Sequence, residues 1–537
     1  MKEMKIFKVL KIALKCSRKL SLILTTGKNF HKKIKAVPPL ILMLFAAQPL
    51  EASNIELKSP CPFPAGQEVP LDRLVCGYLH VPENREVPTS SLISLPFAII
   101  KTEAREPAHD PVVFLTGGPG ASATSSPHTF QLFARHAFGA NRDIILLTQR
   151  GGFMTEPALT CHELSEARVS IYLEDHTLKE RDNAITEVAI NCLVQLQESG
   201  RDLQSYNAAS NAQDLKDLRQ ALQIEEWNLL GVSYGTYIAL EAARIDTVGI
   251  RSMILDSPVS MESDLFMSEA QKNFSDGMKR VVNACHSTPS CKQRFPKLGE
   301  GLQSLIRSLK EKPITLTLDG KDGAVEMVVN WHDFLNLTHW MLYNAKSLPL
   351  IPLLIEATYS GDYRLLTHLM NTVFPAPKNA TESAAGTFFA VVCQDQFTER
   401  NPIPKPTEPT DFGDFAITSF MEDICESPRL NYGTQPIPEP LKTDVPTLLL
   451  SGNFDPMTPS RYAEDIAKNL SHSTLIHIQN YGHSTLSGYT ECQTDVAAMF
   501  LDSPDEKVNS SCLSVIPDVD FQTSREAVYE KLGLQPC

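Results

Sequence analysis

Short apolar runs recur along the chain, and most of them end in a glycine-containing turn. They lie at residues 111–115 (PVVFL), 143–147 (DIILL), 227–232 (WNLLGV), 252–256 (SMILD), 446–450 (PTLLL) and 474–478 (TLIHI). A continuous apolar stretch of this length, bounded by turn residues, is what a strand covered on both faces requires, as in a parallel sheet. Between the runs the period changes. In residues 210–222, Leu215, Leu218 and Leu222 recur at helical spacing beside Asp214, Lys216, Asp217 and Arg219, which predicts an amphipathic helix. Residues 77–81 and 91–100 have strand composition, and together they predict an antiparallel edge that opens the sheet.

The alternation stops at about residue 261 and resumes at about residue 444. In between lie helix-like segments at 263–282, 302–312 and 331–345, then proline-rich connections between 401 and 440. The pattern predicts an α/β fold: a mostly parallel sheet flanked by crossover helices, with an inserted, mainly helical lid. The expected divisions are a leader at 1–52, a sheet domain at 53–260, the lid at 261–443, and the completion of the sheet domain at 444–537.

Composition adds a compartment. Hydrophobic residues at 42% and charged residues at 21% describe a globular protein, and a net charge of −14 argues against nucleic acid as a partner. Charge is unevenly distributed, since residues 1–35 hold eleven Lys/Arg against the single Glu3. Lys32, Lys33 and Lys35 precede a short apolar run at 36–47 (AVPPLILMLFAA), and Ala52 offers a small residue for cleavage, so the segment reads as an export signal with a long basic start. The run is too short for a comfortable membrane span, and no stable span is expected once the leader is removed. Periplasmic or extracellular location follows. Eleven cysteines lie beyond Cys16, and ten of them fall in neighbouring couples: Cys61 with Cys76, Cys161 with Cys192, Cys285 with Cys291, Cys393 with Cys425, and Cys492 with Cys512. Spacing does not fix connectivity, but in an exported chain such couples are most simply disulfides. No C-x-x-C is present, and neither a metal nor a cofactor is expected.

The candidate chemistry begins at Gly231-Val232-Ser233-Tyr234-Gly235. In a G-x-S-x-G elbow the serine occupies a sharp strand-to-helix turn, so Ser233 is the candidate nucleophile and the N–H of Tyr234 a candidate oxyanion donor. The loop after residue 115, Thr116-Gly117-Gly118-Pro119-Gly120, presents bare backbone, and Gly118 is the candidate second donor. Two later loops complete a Ser…Asp…His order: Asp455 follows one strand, and His483 follows the next. Ser233 needs a base, and the imidazole needs a carboxylate to fix its tautomer. Asp256, which ends the strand after the elbow, is the rival acid.

Five segments together, LTGGPG (115–120), TQRGG (148–152), GVSYGT (231–236), SGNFDPMTP (451–459) and YGHST (481–485), resemble the prolyl iminopeptidase and tripeptidyl aminopeptidase family of α/β-hydrolase serine peptidases. The resemblance spans nearly everything after the leader, and the cysteine couples near both ends are similar to the exported tripeptidyl-aminopeptidase-like branch. It implies an α/β-hydrolase fold, a Ser233–His483–Asp455 triad, half of the oxyanion hole from the GGPG loop, and a lid over the site. Thr116 and Thr148 stand where the family commonly has His and Asp. The implied activity is release of N-terminal residues or short peptides, with lid carboxylates meeting the substrate ammonium; Asp395 and Glu422 are the candidates, with Glu399 and Asp423 nearby. An esterase or amidase of small molecules would use the same triad, and a non-catalytic binding protein of the same fold is the third reading.

Overall fold

The computed structural model describes residues 54–66, 69–135, 139–267, 269–320, 323–373, 384–397, 415–432, 436, 438–486, 491–515 and 518–534. The leader, Glu399, Cys16 and Cys537 lie outside these residues. Nine strands form one sheet in the order β1-β2-β3-β5-β4-β6-β7-β10-β11. β1 (Ile55–Lys58), β2 (Leu74–Pro82) and β3 (Leu92–Ile100) are antiparallel neighbours, and β3 joins β5 (Ile144–Leu147) antiparallel as well. From β5 onward all pairs are parallel: β4 (Val112–Leu115), β6 (Trp227–Val232), β7 (Ile250–Asp256), β10 (Thr447–Gly452) and β11 (Ser473–Ile478). Every residue of β5 and β10 is buried, as a doubly covered strand requires. The fold is that of the α/β-hydrolases, with helices on both faces of a mostly parallel sheet. β1 is an addition to the expected strands.

Parallel packing puts the ends of β4, β6, β7, β10 and β11 along one edge, where the post-strand loops meet. This is where open α/β sheets bind ligands.

The insertion contains a hairpin that the sequence reading did not identify. Here β8 (Ile314–Gly320) pairs antiparallel with β9 (Gly323–Val329). β8 alternates buried and exposed residues strictly, the mark of a strand with one face on a core. That core is formed with the helices Glu269–Ser287, Leu298–Glu311, Trp331–Tyr343 and Ile351–Tyr359, and it also takes in Val519, Phe521, Val528 and Tyr529. The C-terminal helix Arg525–Leu532 therefore packs into the insertion and not onto the sheet, because Val528 and Tyr529 are its buried apolar residues. This corrects the expectation that all of 444–537 completes the sheet domain. A second pair of helices, His162–Leu173 and Leu178–Glu198, leaves the sheet before β6, and the latter packs against Ala385–Asp395 and Met421–Cys425. Five disulfides, Cys61–Cys76, Cys161–Cys192, Cys285–Cys291, Cys393–Cys425 and Cys492–Cys512, join the neighbouring couples. Among the described residues, no helix is long and apolar enough to cross a membrane.

Candidate active site

Ser233 sits between β6 and the helix Tyr234–Ile245 with φ 56° and ψ −126°. A side chain other than glycine's rarely adopts such a backbone, and it persists only where the surroundings impose it. Here they do. A Cβ at Gly231 would approach Gly235 O to 2.7 Å, and one at Gly235 would collide with Leu115 O, so both flanking glycines are required by close backbone packing. The Ser233 N–H donates to Asp256 O at 2.9 Å, tying the turn to the end of β7.

The loop after β4 lies against this serine. A Cβ on Gly117 would stand 2.9 Å from Ser233 Cβ, and Gly118 has φ +113°. Gln149, from the TQRGG segment, holds the loop in shape. Its Nε2 donates to Thr116 O at 2.8 Å and Gly117 O at 3.0 Å, while its Oε1 accepts the Gly120 N–H at 2.9 Å. The Gly118 and Tyr234 N–H groups have no hydrogen-bond acceptor among the described residues, and Tyr234 opens a helix, where unpaired N–H groups and the helix dipole favour an anion. Thr148 bonds to Thr124 (2.9 Å) and Ser122 (3.1 Å), and the Thr116 hydroxyl donates to Ala121 O (2.9 Å), so the two threonines brace the same loop.

His483 follows β11, and its Nδ1 lies 2.8 Å from Asp455 Oδ2. Asp455 is fully buried and saturated. Oδ1 accepts the N–H groups of Met457 and Thr458 at 2.8 Å each, and Oδ2 also accepts the Thr458 hydroxyl at 2.7 Å. Burial pushes this carboxyl up, but the facing His483 and the Thr458 bonds outweigh burial and hold it below the usual carboxylate value. The converse applies to His483. Burial works against its charge, yet the Asp455 carboxylate, with Asp256 behind it, raises its pKa above the ordinary histidine value. Ser233 Oγ makes no hydrogen bond among the described residues.

Asp256 has a different task from Asp455. Its Oδ1 accepts the Thr485 N–H and hydroxyl at 2.8 Å each, its Oδ2 accepts the Leu486 N–H at 2.8 Å, and the neighbouring Ser257 hydroxyl accepts the Ser484 N–H at 2.7 Å. One residue thus ties the elbow, through its carbonyl, to the loop that carries His483, through its carboxylate.

A cavity of about 860 Å³ opens beside this constellation, with the 118–122 segment as one wall and Phe266, Trp340, Tyr343, Phe388, Phe389 and Phe420 among its lining. The Tyr343 ring is 4.6 Å from the His483 imidazole. Behind it, His339 is buried with both ring nitrogens unpartnered, and burial pushes its pKa down to about 3, so it is a neutral wall.

Neither carboxylate expected to meet a substrate ammonium lines the cavity. Asp395 accepts the Tyr234 hydroxyl at 2.8 Å and the Ala208 N–H at 3.0 Å, at the start of the helix Ala208–Ala221. It holds the hydroxyl end of Tyr234, the residue that follows Ser233, and burial pushes its pKa up to about 7. Glu422 is exposed, as is Asp423. The expectation is corrected for a physical reason: Asp395 is spent on the Tyr234 hydroxyl and a helix-start N–H, and Glu422 stands in solvent. Sequence reasoning also missed Gln149, Thr458 and the aromatic lining. The first two lay inside the motifs already singled out, whereas the aromatics come from segments far apart in the chain. No group of acidic, histidine or cysteine side chains fit to hold a metal occurs among the described residues.

Comparison with known proteins agrees with the fold. Residues 110–316 match the α/β hydrolase fold family, and residues 408–512 match the family described as TAP-like protein. The chain is 23% identical over 500 residues to the putative hydrolase YuaR of Escherichia coli, covering 88% of this chain and 95% of that one. It is 25% identical over 252 residues to the serine protease Hip1 of Mycobacterium tuberculosis, covering 45% of each chain. With the tripeptidyl aminopeptidase of Streptomyces coelicolor it shares 27% over 205 residues, which is 36% of this chain and 37% of that one.

Proposed function

We propose, from the α/β-hydrolase fold and the match of residues 408–512 to the TAP-like family, that this serine hydrolase is an exported peptidase that removes short N-terminal pieces from peptides through an acyl-enzyme. In this reading Ser233 is the nucleophile. His483 takes its proton as the carbonyl is attacked, Asp455 holds the imidazole with its Nδ1 protonated, and the N–H groups of Gly118 and Tyr234 receive the oxyanion. His483 then gives the proton to the leaving amine, and water repeats the sequence in reverse to free the acyl group.

The observation that carries the reading is the cavity. It begins at the Gly118 loop, passes Tyr343 against His483, and has room for a few residues with bulky apolar side chains. The described residues of segments 161–198 and 261–443 supply much of its lining, Arg168, Phe266, Trp340, Phe388 and Phe420 among them, and a site so covered favours short acyl portions over long chains. Export is supported by the five disulfides. A second reading, an esterase or amidase of small molecules, is favoured by one observation: among the described lining residues there is no carboxylate to meet a free ammonium.

Acetyl- and free-amino Ala-Ala-Phe p-nitroanilides, assayed beside nitrophenyl esters, test the proposal. The peptidase reading predicts anilide hydrolysis that disappears in Ser233→Ala. Ester turnover with no anilide hydrolysis would replace it by the second reading.

A further inference from the structure

The cavity holds one charged side chain among its described lining residues, and it is a cation. Arg168 comes from the helix His162–Leu173. It sits four residues after the buried Leu164 and three before the buried Ile171, so all three share the inward face of that helix. The other charged residues along the helix, Glu163 and Glu166, are exposed. The disulfide Cys161–Cys192 pins the start of the helix, fixing where Arg168 reaches.

Arg168 has no ion pair and no hydrogen bond among the described residues, and its Nε is buried without a partner. Arg168 is half-buried, so its guanidinium stands at an apolar wall of Phe, Trp and Tyr with part of its hydration lost and no protein acceptor, and a substrate anion there would supply one. Arg142, Arg150 and Arg181, buried where Arg168 is half-buried, are all paired within the protein. Arg150, fully enclosed, takes Asp214 at 2.7 and 2.8 Å and the carbonyls of Glu83 and Ser205. Asp395 and Glu422 are not its partners, since Asp395 is committed to Tyr234 and Ala208, and Glu422 faces solvent. The planar fork of a guanidinium matches a carboxylate with two parallel hydrogen bonds.

We propose that Arg168 binds a carboxylate of the substrate, which makes the cavity selective for substrates that pair an apolar acyl portion with an anionic group. The inference deepens the proposed function by naming a substrate class for the same site, and it holds for either a peptidase or an esterase. The carboxylate has two possible sources, an acidic group on the acyl portion or the free C-terminus of a short peptide.

Three matched pairs separate the cases. The first pair is succinyl- and acetyl-Ala-Ala-Phe p-nitroanilide, which differ by one acyl-side carboxylate. The second is acetyl-Ala-Ala-Phe-Gly and its C-terminal amide, which differ by one leaving-side carboxylate. The third is the mono-p-nitrophenyl ester of suberic acid and p-nitrophenyl octanoate, which need no peptidase activity. The native protein is expected to favour the anionic member of at least one pair by roughly tenfold to a hundredfold in kcat/KM, the size of one charge-assisted contact. Arg168→Gln should abolish that preference while leaving turnover of the neutral member within about threefold, which also reports that the variant is folded. Calorimetric binding of succinyl- and acetyl-Ala-Ala-Phe amide to the Ser233→Ala protein, and to the same protein also carrying Arg168→Gln, gives a readout independent of turnover. Equal rates and equal binding for both members of every pair would overturn the proposal, as would a preference that survives in Arg168→Gln. Loss of anilide and peptide hydrolysis, with the ester preference intact, would overturn the peptidase reading alone.

Discussion

Replacing Asp455 by Asn probes the site at its most determined point. In the native arrangement Oδ1 accepts two backbone N–H groups, from Met457 and Thr458, so the amide oxygen of an asparagine would keep that side and its NH₂ would turn toward His483 and Thr458. The Thr458 hydroxyl can rotate and accept. The imidazole cannot donate to an NH₂, so Nδ1 becomes the acceptor and the proton moves to Nε2, the nitrogen that must take the Ser233 proton. The geometry survives with the wrong tautomer, and the expected loss in kcat is on the order of ten-thousand-fold. Folding stability should fall by only about 1.5 to 3 kcal/mol, the worth of a hydrogen bond to a charged group. The assay is p-nitrophenyl ester turnover beside thermal melting. Asp256→Asn is the control, because its amide oxygen can keep the two Thr485 bonds and lose only the Leu486 one. It should cost more in melting temperature than in kcat. An Asp455→Asn protein within tenfold of native turnover, or an Asp256→Asn protein crippled to the same degree while fully folded, would refute the assignment of the acid.

The raised His483 pKa places the acid limb of kcat/KM above the ordinary histidine value of about 6.5, since activity requires the neutral ring and is lost as pH falls through the raised value. The same shift stabilises the fold fully below the ordinary value and ceases to do so as pH rises through the raised one, which a melting series from pH 5 to 9 would register. Asp395→Asn should lower kcat by up to about tenfold for free-amino, acetylated and ester substrates alike, because the residue anchors Tyr234 and does not touch the cavity; a loss confined to free-amino peptides would contradict this. Removing the Cys393–Cys425 bridge, which closes a 32-residue separation beside the cavity, should cost about 3 to 4 kcal/mol in unfolding free energy, read from denaturant titration of the Cys393→Ala/Cys425→Ala protein.

The sheet was legible because its strands are local statements. PVVFL, DIILL, WNLLGV, SMILD and PTLLL are mostly apolar on both faces, TLIHI is the half-covered edge strand, and each forms a strand. The elbow glycines were legible for the same reason, since the need for a bare backbone is written in five consecutive residues. The β8–β9 hairpin carried its alternation and a glycine-containing DGKDG segment in plain view, but it lies among helical segments and was read with them. What the sequence could not disclose is which side chains share the cavity. Arg168, Phe266, Trp340, Phe388 and Phe420 come from five separate segments, and only packing brings them together. Acids placed near the lid by sequence were assigned by proximity along the chain. Asp395 turned instead to Tyr234, because a helix start and a buried hydroxyl there needed an acceptor.

The account rests on Ser233 as an activated nucleophile, and a fluorophosphonate probe tests this directly. Intact and tryptic mass spectrometry of the native protein should find a single phosphonyl adduct on Ser233, forming much more slowly in Asp455→Asn and not at all in Ser233→Ala. An unlabelled native protein, or an adduct on another residue that persists in Ser233→Ala, would contradict it.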